Sequence, residues 1–84
     1  KMREKPYALF ILDINLPKPD GFELLQRIRK DSYTADVPVI MLTAMGSEND
    51  IIRAYDLGAS DNILKPYSAI QLVARVKSLL KKAQ

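Results

Sequence analysis

The chain predicts an α/β fold with a parallel sheet, in the order βαβαβα. Three observations lead there. Continuous apolar runs, of the kind buried on both faces of a sheet, alternate with segments of helical periodicity. Each helical segment opens on a capping residue followed three positions later by an acid or an amide. Three chemically active residues, Asp13, Thr43 and Lys65, each stand at the end of a strand-like run. In open parallel sheets that carboxyl edge is where ligands bind.

The first strand is predicted over Ala8-Leu9-Phe10-Ile11-Leu12, with Asp13 at its end. Pro17-Lys18-Pro19-Asp20-Gly21 then makes a turn. The first helix is predicted over 21–30, with Asp20 as N-cap and Glu23 closing a capping box. Phe22, Leu24, Leu25 and Ile28 give it one apolar face. The second strand is Val39-Ile40-Met41-Leu42, entered through Pro38, which a strand tolerates only at its start. The second helix is predicted to begin at Ser47, with Asp50 three residues on. It carries Ile51, Ile52, Ala54 and Tyr55 and stops at Gly58, a natural left-handed cap. The third strand is short, Asn62-Ile63-Leu64, and closes at Lys65-Pro66. The third helix begins at Ser68 with Gln71 three residues on. Its apolar positions are Ala69, Leu72, Val73, Val76, Leu79, Leu80 and Ala83. Right-handed crossovers place the first two helices on one face of the sheet and the third on the other. One helix covers its face incompletely.

Composition narrows the chemistry. Eighty-four residues make one small domain. At 48% hydrophobic the chain is rich in apolar residues for that size, which predicts apolar surface that a partner covers. There is no cysteine, so disulfides and thiolate chemistry are excluded, and no histidine, so Ser-His-Asp catalysis is excluded. No apolar run approaches the roughly 20 residues of a membrane span. The net charge of +3 comes from dispersed small clusters, among them Arg27-Arg29-Lys30, which are expected to form solvated faces. No nucleic-acid recognition motif accompanies them, so such binding is not expected of this chain.

A carboxylate, a hydroxyl and an ammonium at one sheet edge suit phosphoryl transfer. A carboxylate can accept a phosphoryl group as an aspartyl phosphate. The reaction needs positioning and charge compensation more than covalent help. Asp13 would be the acceptor, Lys65 the fixed cation and Thr43 a hydroxyl donor. Taken singly, each is more simply a turn, cap or surface residue. Asp61 reads as a loop or cap residue, and Tyr7, Tyr33, Tyr55 and Tyr67 as core or rim aromatics.

These residues resemble the receiver domain of two-component response regulators. The matching stretches are Leu12-Asp13-Ile14-Asn15-Leu16-Pro17 with Asp20-Gly21, Val37-Pro38-Val39-Ile40-Met41-Leu42-Thr43-Ala44, Leu57-Gly58-Ala59-Ser60-Asp61, and Lys65-Pro66. The resemblance implies a flavodoxin-like sheet of order 2-1-3-4-5. Residues 1–84 then correspond to a partial receiver, strands three to five with helices three to five, lacking the first two βα units. Lys1 to Pro6 would be the tail of the second family helix.

The resemblance further implies roles. Asp13 is the phosphoacceptor and a ligand of Mg2+, with Asn15 offering its backbone carbonyl to the metal. Thr43 bonds a phosphoryl oxygen, Ala44 leaves room for it, and Lys65 pairs with it or with Asp13. The Lys65–Pro66 bond is expected to be cis. The acidic pair that holds most of the magnesium in the family has no counterpart in this chain, so Mg2+ is expected to bind weakly or not at all here. The implied setting is a cytoplasmic signalling protein, not an enzyme. It would take its phosphoryl group from a sensor histidine kinase or phosphotransfer protein and act through an output domain. The alternative is a pseudo-receiver, a protein-interaction module that works without phosphorylation.

Two departures bear on these roles. Asn62 stands where the family often has an aromatic residue that moves with the threonine. Ile51 and Gln71 occupy positions where charges would support pairing of receivers through the last helices. The first strand, Ala8 to Leu12, has no inner neighbour in this chain, so self-association through that edge is expected.

Overall fold

The structure is a computed structural model that describes residues 8–15, 17, 19–44 and 48–83, the last two without their side chains. Six elements follow in order: β1 (Phe10–Asp13), α1 (Gly21–Lys30), β2 (Val39–Ala44), α2 (Glu48–Asp56), β3 (Asp61–Lys65) and α3 (Ala69–Ala83). The predicted βαβαβα order holds. The strands form one parallel sheet in the order β1-β2-β3. Asp13 aligns with Leu42, and Ala44 aligns with Lys65. All three carboxyl ends therefore reach the same edge.

β2 is the centre of the molecule. Val39, Ile40 and Met41 are fully buried. Alternation along the strand sends Val39 and Met41 to one face, where they pack with Phe22 and Leu25 of α1 and Ala54 of α2. Ile40 and Leu42 face the other way and pack with Ile63 under Leu72, Val76 and Leu79 of α3. A strand covered on both sides needs apolar side chains at successive positions, which explains its unbroken run.

Strand limits differ from the predicted ones by a residue or two. β1 starts at Phe10 rather than Ala8, because the first cross-strand bond runs from the Phe10 N–H to the Pro38 carbonyl. β2 and β3 extend through Thr43 and Lys65, so both residues lie within strands. Hydrogen bonding to a neighbour, invisible in hydropathy, sets these limits.

The caps of α1 and α3 form as predicted. The Asp20 carboxylate accepts from the Glu23 N–H at 2.9 Å, and the Glu23 side chain accepts from the Asp20 N–H at 3.2 Å. The Ser68 Oγ accepts from the Gln71 N–H. The Ser47 cap and the stretch from Lys1 to Tyr7 lie outside the described residues. Gly58 takes φ 106°, the left-handed stop after α2.

Two predicted faces are narrower than the sequence pattern. In α2 only Ala54 is fully buried, while Ile52 is 58% exposed and Tyr55 stands in solvent. In α3, Ile70 and Val73 face outward, at 82% and 48% exposure. A helix touches a sheet along one line, and side chains off that line are covered only by further elements. The described tyrosines, Tyr33, Tyr55 and Tyr67, are all exposed rim residues.

Arg29 departs from its predicted place on a solvated face. It turns inward and donates from Nε to the Gly58 carbonyl and from one terminal nitrogen to the carbonyls of Ala35 and Val37. One guanidinium thus ties the end of α1, the loop before β2 and the turn after α2 together. Burial lowers its pKa, and Asp36 opposes that shift. Replacing Arg29 with Met would leave these carbonyls short of donors. We expect Arg29→Met to destabilise the chain by about 2–4 kcal/mol, read from urea denaturation.

Candidate functional site

The parallel register brings two of the three predicted residues into contact. β1 delivers Asp13 and β3 delivers Lys65 to the same edge, and the Lys65 Nζ donates to Asp13 Oδ2. The pair spans β2, whose small terminal residue Ala44 lies exposed beside Lys65. Asp13 Oδ1 accepts the backbone N–H of Asn15 at 2.9 Å, which pins the turn after β1 to the carboxylate. Both side chains keep about a third of their surface, 32% for Asp13 and 33% for Lys65, so the site opens to solvent.

The hydrogen bond from Lys65 holds the Asp13 carboxyl below its ordinary value, followed by the bond from Asn15. Burial pushes weakly the other way. Asp13 is therefore ionised throughout the neutral range. At this exposure, solvent screens the ion pair, and its worth to stability is about 0–1 kcal/mol.

Thr43 is not part of that contact. It lies one register position beyond Asp13, on the face of β2 shared with Val39 and Met41. It is 1% exposed, and its hydroxyl has no hydrogen-bond partner. Asn62 shares this condition: both its amide nitrogen and its amide oxygen are buried without partners. Met41 aligns with Asn62 and Thr43 with Leu64, so the two orphaned side chains occupy diagonal positions on neighbouring strands.

Lys65–Pro66 is a cis peptide bond, as the resemblance implies. Asp61, read from the sequence as a loop or cap residue, instead opens β3 and forms an ion pair with Arg75 of α3 at 2.7 Å. That contact joins residues on separate elements, and no local pattern announces it. Gly21, read from the sequence as a turn residue at the start of the first helix, packs directly on the Asp13 backbone.

Among the described residues, no group of three or more acidic, histidine or cysteine side chains converges to hold a metal. Asp13 is a carboxylate of the type magnesium takes, and the resemblance assigns the Asn15 carbonyl beside it. Magnesium keeps several waters and often uses only one or two protein carboxylates with phosphate oxygens. Among the described residues, the chemistry of a carboxylate and a carbonyl supplies only part of a magnesium site. Among the described residues, no helix is long and apolar enough to cross a membrane.

A parallel sheet that carries an ionised aspartate against a lysine at its carboxyl edge defines a class: open α/β proteins, whose ligand sites lie at the strand ends. Comparison with known proteins makes the class specific. The model of the response regulator receiver domain matches residues 1–77, and the chain belongs to that family. It is 49% identical over 74 residues to the DNA-binding dual master transcriptional regulator RpaA of Synechocystis sp., covering 88% of this chain and 31% of that protein. It is 46% identical to the phosphate regulon transcriptional regulatory protein PhoB of Pseudomonas aeruginosa, covering 88% and 32%. The chain thus spans about a third of the length of these relatives.

Solved structures agree on the flavodoxin-like receiver fold. The receiver domain of the Francisella response regulator 1452 superposes with a TM-score of 0.81 at 33% identity, covering 93% of this chain and 63% of that one. The Vibrio cholerae chemotaxis protein CheY4 superposes with a TM-score of 0.80 at 26% identity, covering 88% and 62%.

The orphaned Asn62 amide carries a measurable cost. Leucine is close to asparagine in shape and brings no polar atoms. We expect Asn62→Leu to raise the unfolding free energy by about 1–3 kcal/mol, read from chemical denaturation.

Proposed function

We propose that this chain carries the phosphoacceptor site of a two-component receiver, with Asp13 as the acceptor. The observation that carries the reading is the ionised Asp13 carboxylate held by Lys65 at the open carboxyl edge. Its six elements correspond to the family's third to fifth strands and helices.

In the proposed reaction an Asp13 carboxylate oxygen attacks the phosphorus of a phosphohistidine. The P–N bond breaks, the imidazole leaves with the bonding pair and takes up a proton, and an aspartyl phosphate results. Lys65 moves from the carboxylate to the incoming phosphoryl oxygens, whose charge it offsets. The buried Thr43 hydroxyl, without a partner in this state, is available to donate to one of them. The Asn15 N–H holds the carboxylate in place. Asp13 and the Asn15 carbonyl would hold Mg2+, which supplies further charge neutralisation when bound.

The proposed donor is a sensor histidine kinase or phosphotransfer protein, and the proposed readout is an output domain of the parent, in the cytoplasm. RpaA and PhoB are by name transcriptional regulators, which supports a DNA-binding output for that parent.

Intact mass after incubation with Mg2+ and acetyl phosphate tests this reading. A phosphoryl adduct is expected on this chain and none on Asp13→Asn. Lys65→Met should slow uptake by about 100-fold. An adduct that persists in Asp13→Asn would overturn the assignment.

We further propose that the 84-residue chain self-associates. Among the described residues no strand lies beyond β1, whose Ile11 is 42% exposed, and α3 turns Ile70 and Val73 outward. An unpaired apolar strand edge is a template for another chain. Sedimentation at micromolar concentration should show dimers or larger species. A monodisperse monomer would count against this.

A further inference from the structure

We propose that Gly21 is a positioning residue for Asp13: the start of α1 is a steric stop that sets where the Asp13 carboxylate meets Lys65. The proposal deepens the phosphoacceptor reading and rests on it. A Cβ placed on Gly21 would lie 2.7 Å from the Asp13 carbonyl oxygen, 2.9 Å from the Ile14 Cα and 3.1 Å from the Asp13 carbonyl carbon. All three are backbone atoms, so no side-chain rotation relieves the contact.

Conformation does not call for glycine here. Gly21 is the first residue of α1, and its φ lies outside the left-handed region. Alanine is the better helix former at an ordinary helical φ. Glycine is therefore required for space alone.

Neither side of the contact can retreat freely. α1 is held by its capping box and by the buried Phe22 and Leu25. The Asp13 peptide ends β1, and the next residue, Ile14, donates its N–H to the Leu42 carbonyl at 3.2 Å. The helix and the strand end meet with only a hydrogen atom between them. A methyl group there must push the Asp13 peptide outward by several tenths of an ångström. That peptide carries the carboxylate that Lys65 and the Asn15 N–H hold.

The test compares this chain with Gly21→Ala by three readouts: thermal unfolding, the Asn15 amide proton shift, and phosphoryl uptake from acetyl phosphate with Mg2+. The Asn15 amide reports carboxylate position directly, because it donates to Asp13 Oδ1. We expect a folded variant with a displaced Asn15 resonance and uptake slowed about 10- to 100-fold. A folded variant with an unmoved Asn15 resonance overturns the proposal. So does a variant that fails to fold, which would assign Gly21 to stability alone. Should the unmodified chain take up no phosphoryl group, the phosphoacceptor reading fails, and the Asn15 resonance still decides the role of Gly21.

Discussion

Everything in this molecule depends on the burial of β2 between two neighbours and two layers of helix. Val39, Ile40 and Met41 have no solvent exposure at all. A strand so placed cannot slip by one residue without exchanging its two apolar faces. Its register with β1 and β3 is thereby fixed, and the register brings Asp13 and Lys65 to the same edge. Residues 52 positions apart become an ion pair because a central strand holds the two that carry them.

The site has an electrostatic purpose more than a stabilising one. A surface pair at one-third exposure contributes little to folding. What it provides is a carboxylate kept ionised and a cation already positioned beside it. The hydroxyl of Thr43 and the amide of Asn62 are the opposite case. They are buried and unsatisfied on the same face of the sheet. Polar atoms left in this condition are uncommon in native cores.

Two residues hold the scaffold together through contacts with backbone. Arg29 satisfies carbonyls from two loops that side chains seldom reach. Gly21 allows α1 to approach the strand end more closely than any other residue would permit. One acts by donating hydrogen bonds and the other by having no side chain. Arg29 acts at the loops that lead into β2 and β3, and Gly21 acts at the end of β1 beside Asp13.

Much of this was legible in the sequence. Continuous apolar runs named the strands, and Asp20 with Glu23 and Ser68 with Gln71 named two helix starts, because capping is a local interaction. Motif spacing named Asp13, Thr43 and Lys65, whose positions at strand ends follow from chain order in a parallel sheet. The sequence could not show that Arg29 turns inward among basic neighbours that stay exposed, since its acceptors are carbonyls that any sequence supplies. Nor could it show that Asp61 pairs with Arg75, or that Thr43 and Asn62 are buried without partners. Local chemistry is written in short patterns, and the chain itself determined those. Contacts between distant backbones, and the burial that leaves a polar atom alone, exist only once the sheet and its helices have packed.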